Sequence, residues 1–471
     1  MSEIQSQVEA GAGTTLDRGS DIAFVRTTMV PESPPPDGST GAVGWLRKNL
    51  FSSPVNVIQT VIAALIVLLI VPGLVDFAFL DAVWSGPNRE VCATVAQGGV
   101  REDGWSGACW AYVGAYFEQF VYGTYPFSER WRVNIVFLLL VLALIPLLVR
   151  SFPYKKAGFA YSAIVFPLAA FVLLTGGELE LDGFLLPTSV MEPGHAKFAI
   201  DFLLFAILAL VGTFAVARST GSNPAPTLKT VATLLAGIFA ILLVASLDFG
   251  LRHVRTELWG GMLVTLVIAV TGIVVSLPLG ILLALGRRSN MPLVRMLCVA
   301  FIEFWRGVPL VTVLFMSSVM LPLFASEGVD IDKLVRALIG VALFASAYMA
   351  EVIRGGLQAI PKGQYEGAQA VGLTYWQSMR LIILPQALTL VIPGIVNTFI
   401  GLFKDTTLVL IIGLFDFLGQ IQASFSDPTW ATPVQSKSAY LFAAAVYFLF
   451  CFGMSRYSIY TERRLATGHK R

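Results

Sequence analysis

Two opposite charges stand side by side in an otherwise apolar stretch of the chain, Lys404 and Asp405, followed by Thr406 and Thr407 and preceded about two helical turns earlier by Asn397. A neighbouring ammonium and carboxylate can take the two ends of a zwitterion: a ligand carboxylate on Lys404, a ligand ammonium on Asp405, with the hydroxyls assisting. Charge in an apolar window is costly, so such residues are candidates for a substrate pathway. The pair can equally lock its helix to a neighbour as an ion pair, or reach to water at an interface. Both readings stand at this point. Glu303 and Arg306 lie three residues apart on one helical face, and Glu351 and Arg354 repeat the spacing. A local ion pair, or a contact to the adjoining loop, fits Glu303 and Arg306 better than contact with a transported molecule. Asp201, near the end of another apolar window, reads as a helix-capping or snorkelling residue.

Other chemistry is missing. The three histidines, His195, His253 and His469, are far apart and give no metal-ligand spacing, and the four cysteines form no CxxC. No G-x4-G-K-[ST] loop is present, so the chain binds no nucleotide by that route, and neither HExxH nor a pair of acids offers a catalytic cluster. A net charge of +2 excludes nucleic-acid binding by a broad basic face.

The elements that must position these residues are membrane helices. With 471 residues, 56% of them hydrophobic and only 13% charged, the chain has about half the charged fraction of a soluble domain. Apolar windows recur near 56–79, 133–150, 157–175, 197–217, 229–248, 260–286, 308–325, 335–354, 387–403 and 437–456. Each is long enough, or nearly so, to cross a bilayer as a helix, which satisfies its own backbone there; the alternation of a barrel is absent. The expected fold is an all-α polytopic membrane protein of about ten transmembrane helices. Residues 1–44, with Pro31 and Pro34 to Pro36, read as a disordered tail, and 45–250 as a helical region of about five spans with an outer loop at 80–132. The stretch 404–425 is apolar enough to tempt an eleventh span and is read as a bent continuation of the preceding helix or a short inserted segment.

Orientation follows from basic residues. An inside N-terminus places Arg47, Lys48, Arg150, Lys155, Lys156, Arg218, Lys229, Arg287, Arg288, Arg354, Lys362, Arg380, Arg463 and Arg464 in the cytoplasm. Both termini are then cytoplasmic. The acidic stretches around Glu178, Glu180 and Asp182, and around Glu327, Asp330 and Asp332, fall outside. So does the loop holding Cys92 and Cys109, where a disulfide is one reading and two free thiols the other. Cys298 and Cys451 sit in apolar segments as buried thiols. Trp84, Trp105, Trp110, Tyr112, Tyr116 and Tyr122 crowd the same loop, as interfacial anchors or as a platform for a soluble partner.

One cytoplasmic segment breaks the apolar pattern. Residues 351–385 read EVIRGGLQAIPKGQYEGAQAVGLTYWQSMRLIILP. Positions 363–371 favour a helix, Gly372 can stop it, Thr374 can start a second, and Pro385 marks a bend or a helix start. Two short helices joined at a glycine make a stiff knob that can enter a partner's groove. Gly363 opens it, Glu366 adds a charge, and Tyr365, Tyr375 and Trp376 are large interface anchors.

Glu366, Ala368, Gly372, Ile382, Leu384 and Pro385 match, spacing by spacing, the pattern E-A-A-x3-G-x9-I-x-L-P. This resembles the EAA signature of bacterial ABC importer permeases, with Gly367 where the pattern has alanine. From about Leu258 to Arg464 the chain resembles the polar amino-acid (histidine/glutamine permease) subfamily, in ELWGGMLVTL, SLPLGILLALGRRS, FIEFWRGVPLVTVLF and IPGIVNTFIGLFKDTTLVLIIGL. With its N-terminal extension it resembles the larger permease subunit of a general L-amino-acid importer. The resemblance implies a type I ABC importer permease domain at 256–464 with a coupling loop at 361–385. It also implies two separate ATPase subunits carrying ATP and Mg, a second related permease chain, a periplasmic amino-acid-binding protein, and a bacterial inner-membrane location among lipids. An ion-coupled secondary transporter is the rival reading and predicts paired repeats with broken helices; the first five spans show no repeat in the last five.

Overall fold

The computed structural model describes residues 41–149, 151–179, 181, 186, 190, 191, 194–219, 223–324 and 331–466. The tail 1–40, Arg150, Glu180, Asp182, Glu327 and Asp330, on which parts of the sequence reading rest, lie outside the described residues. Residues 41–44, assigned to the tail, are instead the first turn of a helix, Gly41–Asn49.

Among the described residues all regular structure is helical, apart from isolated bridges. Nine helices among the described residues are long and apolar enough to cross a membrane: Pro54–Leu80, Phe127–Leu148, Lys155–Thr175, His195–Arg218, Pro224–Ala245, Gly261–Arg287, Lys333–Ala359, Ile392–Ile412 and Gln435–Leu465. A bent pair, Pro292–Gly307 with Leu310–Leu323, makes a tenth. These ten correspond one for one to the apolar windows. Pro72, Pro146 and Pro278 stand inside spans, where neighbouring helices and local adjustment can re-satisfy the freed backbone groups.

Local chemistry moves two boundaries. The seventh span gains an amphipathic limb, Pro292–Gly307, and turns through 105°. Val308 precedes Pro309 and is extended (φ −106°, ψ 132°), as steric conflict with the following proline ring requires. The ninth window divides at Val391 into Leu384–Leu390 and Ile392–Asp405. From Thr406 the second piece tightens into a 3-10 helix that ends at Ile412, with Gly413 left-handed (φ 76°) beyond it. Asp416 then caps a short helix, Phe417–Ala423, through bonds from the Leu418 and Gly419 amides. The 404–425 stretch is thus a continuation of one span followed by a short packed helix.

Among the described residues, those up to Val75 form one compact unit and those from Asp76 onward another. In the first, Thr60 Oγ1 donates to the Leu50 carbonyl at 2.9 Å, tying Pro54–Val75 to the turn before it. In the second, Gly261–Arg287 and Lys333–Ala359 pack along their length, with Gly280 directly against Met349 and Ala350. Small residues of this kind let membrane helices approach closely. A separate core at the other end of these helices takes in Tyr125, Val133, Val136 and Leu174 from the N-terminal half with Leu263, Ile268, Leu310 and Leu334 from the C-terminal half. Packing therefore runs across residues 250–256. Buried Arg132 reinforces the join by donating to the Arg252 carbonyl at 2.8 Å. Asp201 is neither a cap nor snorkelled: it is fully buried and accepts the Leu186 amide at 3.1 Å, a donor in place of water.

Candidate coupling surface and substrate pathway

Ile360 and Pro361 end the long Lys333–Ala359 helix and start Lys362–Ala370. At its far end the Leu373 amide donates to the Ala368 carbonyl (3.2 Å) and the Gly372 amide to Gln369 (2.9 Å). This double bond pattern needs a left-handed residue at the turn, and Gly372 has φ +77°. Thr374 begins the second helix, Tyr375–Ser378, with its amide held by Gln377 Oε1 at 2.9 Å. Pro385 does not start a separate helix. Helical backbone runs from Tyr375 to Leu390 through a π turn at Met379–Ile383, in which the Leu384 amide reaches Met379. The wider turn accommodates the donor that Pro385 lacks.

The knob has an inner and an outer side. Ala368 and Ile383 are buried, Ile382 and Leu384 half-buried, and all but Ala368 belong to the cluster of Ile302, Met349 and Ile353 or pack against it. Tyr365 also faces inward: its hydroxyl donates to the Leu357 carbonyl and receives Arg288, each at 3.0 Å, with Arg288 over its ring. It is a tether rather than an interface anchor. Gly363, Glu366 and Gly372 are exposed, as are Val371, Tyr375 and Trp376. Partial desolvation of its hydroxyl raises the pKa of Tyr375 above the ordinary value, although much of the side chain is exposed.

Behind this knob Glu351 gathers arginines from three helices: Arg287 at 2.7 Å, Arg354 at 2.7 Å and Arg306 at 3.7 Å. Glu303 bonds Arg287 at 3.0 Å. Glu303 and Arg306 therefore pair across helices and not with each other; only Glu351 and Arg354 keep the three-residue pairing. Helical spacing pointed to the acids but said nothing of their shared partner Arg287 or of the tether Arg288.

Lys404 and Asp405 make no side-chain hydrogen bond or ion pair among the described residues, so no ion pair is seen there locking this helix to a neighbour. Lys404 and Asn397 are exposed and Asp405 half-buried. Asn397, Gly401 and Lys404, at i, i+4 and i+7, line one face, and open space lies beyond Gly401. Leu402, Phe403, Thr406 and Val409 point to the core; Thr406 is buried and bonds the Phe403 carbonyl at 2.8 Å. Thr406 therefore stands apart from the exposed face. Asp416, not singled out from sequence, is fully buried beside it and accepts Tyr447 at 3.1 Å.

Cys92 and Cys109 are bonded, with Cα atoms 5.7 Å apart. The loop aromatics are not a simple interfacial belt: Tyr112 and Phe120 are fully buried against residues 417–443. Among the described residues no group of His, Cys, Asp and Glu could hold a metal ion.

Ten crossings, an exposed helical knob and charges left open on one span describe a membrane translocation subunit. Residues 276–467 match the family described as binding-protein-dependent transport system inner membrane component. The inner membrane amino-acid ABC transporter permease YhdY of Escherichia coli K12 is 43% identical over 93% of this chain and 97% of its own length. The glutamate/glutamine/aspartate/asparagine transport system permease BztC of Rhodobacter capsulatus is 45% identical over 96% of this chain and 100% of its own. A solved structure described as an amino acid ABC transporter with histidines is 30% identical over 43% of this chain and 92% of that chain, with a TM-score of 0.39. The chain belongs to the amino-acid ABC transporter permeases. It is a multi-pass membrane permease of an amino-acid importer and not itself an enzyme.

Proposed function

We propose that this chain carries amino acids inward by alternating access, driven through the 361–385 loop by two ATPase subunits that bind ATP and Mg. The observation that carries the reading is the shape of that loop: a rigid two-helix knob, fixed inward by Tyr365 and Ala368 and presenting Glu366, Tyr375 and Trp376 outward. A lever must be stiff on its own side to pass on a push. The Lys/Arg bias supports a cytoplasmic position for it, cytoplasmic termini and an inner-membrane location. The 256–464 region is the permease domain proper, and 45–250 an extension bonded to it. A second, related permease completes the pore in a heterodimer, and a periplasmic amino-acid-binding protein delivers substrate. The name of BztC supports acidic amino acids and their amides among the substrates.

The pathway runs along Asn397, Gly401 and Lys404, with Asp405 at its edge. Two adjacent charges with no hydrogen-bonded or ion-paired partner among the described residues suit a water-filled passage or the second permease, since lipid would exclude both. Asp405→Asn is expected to lower uptake by about tenfold, the scale of one lost charged hydrogen bond, without disturbing assembly. Uptake at the wild-type rate would remove Asp405 from the pathway.

A further inference from the structure

The helix Trp110–Tyr122 belongs to the N-terminal extension, yet one of its faces is bonded into the permease. Tyr112, Tyr116 and Gln119 recur at i, i+4 and i+7. They meet Gln420, Ser424 and Asp427, which keep the same spacing. The Tyr112 hydroxyl bonds Ser424, Tyr116 donates to Asp427, and the Gln119 amide donates to Gln420 at 3.2 Å. Polar contacts in a packed interface fix one geometry, whereas apolar surfaces alone tolerate sliding.

The backbones are seated against each other at the far end of this helix. A Cβ at Gly123 would fall 2.4 Å from the Gly260 Cα, and one at Gly261 (φ +63°) 2.3 Å from the Phe120 carbonyl oxygen. Phe120 is fully buried, its ring 6.2 Å from Phe442, which in turn lies 5.9 Å from Phe417. At the near end the Cys92–Cys109 bond closes the loop, and the Cys109 amide donates to Ser438 at 2.8 Å on the last span. The segment held in this way, Asp416–Trp430, follows the 3-10 helix Thr406–Ile412 that begins at the Lys404–Thr406 turn. It is also bonded to the permease from within, by Phe417 to Thr265 at 2.9 Å. By contrast, Lys404 and Asp405 have no partner among the described residues.

We infer that Trp110–Tyr122 is a stator: Tyr112, Tyr116 and Gln119 are positioning residues that keep Asp416–Trp430 stationary while the adjoining span moves. The inference rests on the reading of Lys404 and Asp405 as the border of the pathway. A fixed outer segment turns motion at the ATPase end into opening of the passage; a loose one follows the motion, and hydrolysis is spent without transport.

The test uses the whole importer in proteoliposomes and reads amino acid moved per ATP hydrolysed. Tyr116→Phe with Gln119→Leu is expected to keep hydrolysis and to lower that ratio about fivefold or more, the usual lower range for an energetic coupling between sites. A ratio that stays at the wild-type value, or uptake and hydrolysis that fall together, would make the helix a plain structural brace and overturn the inference. Bridging Gln119→Cys to Gln420→Cys with a short bifunctional thiol reagent is expected to leave uptake unchanged, because a stator does not move against its mount. Arrest of uptake by the bridge, with the reagent harmless to the parent protein, would show that the two segments must separate, and would also overturn it. Wild-type uptake by Asp405→Asn beside a lowered ratio in the double variant would count against the pathway reading alone.

Discussion

Gly372→Val and Glu366→Lys are each expected to strip the ATPase subunits from the purified permease while leaving the chain folded in the membrane. The glycine stands at φ +77°, where an L residue costs about 1–2 kcal/mol and a β-branched one more. Nothing lies within 4 Å of a Cβ placed there, so the effect is one of backbone and not of crowding. Relief of that strain opens the bonds from Leu373 to Ala368 and from Gly372 to Gln369 and swings Lys362–Ala370 away from Tyr375–Ser378. Glu366 acts differently: it is exposed, and a lysine reverses the charge offered to the partner. Each change should weaken ATPase capture by about 30-fold, or 2 kcal/mol, as for a central interface residue. Affinity capture measures this, with thermal unfolding as a control for the fold. Undiminished capture by both variants would remove this loop from the docking surface.

The second large effect lies behind the loop. Glu351→Ala leaves Arg287, Arg306 and Arg354 facing one another, with only Glu303 to offset Arg287. Hydrogen bonds to charged groups contribute about 1.5–3 kcal/mol each. The arginine side chains here are 24–36% exposed, so water screens part of that, and a total of about 2–3 kcal/mol is expected. The unfolding temperature of the detergent-solubilised chain should fall accordingly. Glu303→Ala should do far less, because that side chain is 55% exposed. Glu351→Gln should fall between them, keeping an acceptor but not the charge. Equal shifts from Glu351→Ala and Glu303→Ala would deny Glu351 its central place.

The ten crossings could be read from sequence because a bilayer demands length and apolarity, two properties that need no knowledge of neighbours. The two-helix loop at 361–385 was legible for a related reason: Gly372 and Thr374 do their work with residues only a few positions away. What escaped depends on distant partners. Tyr112 meets Ser424 across 312 positions and Arg287 meets Glu351 across 64, and no periodicity records such pairs. The three-residue spacing of Glu303 and Arg306 suggested a local pair, yet Arg287 on the neighbouring helix offers Glu303 a better-placed guanidinium. Asp201 misled in the same way, since nothing along the chain shows that Leu186 returns over it. Thr406 lies next in sequence to Asp405, but the 3-10 turn that begins there directs its side chain into the core.

On the proposed function, an ATPase held on residues 361–385 drives movement through these helices. The most direct measurement of this is amino-acid uptake into proteoliposomes holding the permease pair and the binding protein, with and without the ATPase subunits, at fixed ATP and with ion gradients collapsed. Uptake that appears only with hydrolysing ATPase, and is lost in Gly372→Val, is the predicted result. Uptake that proceeds without the ATPase, or that follows an imposed ion gradient instead, would contradict it.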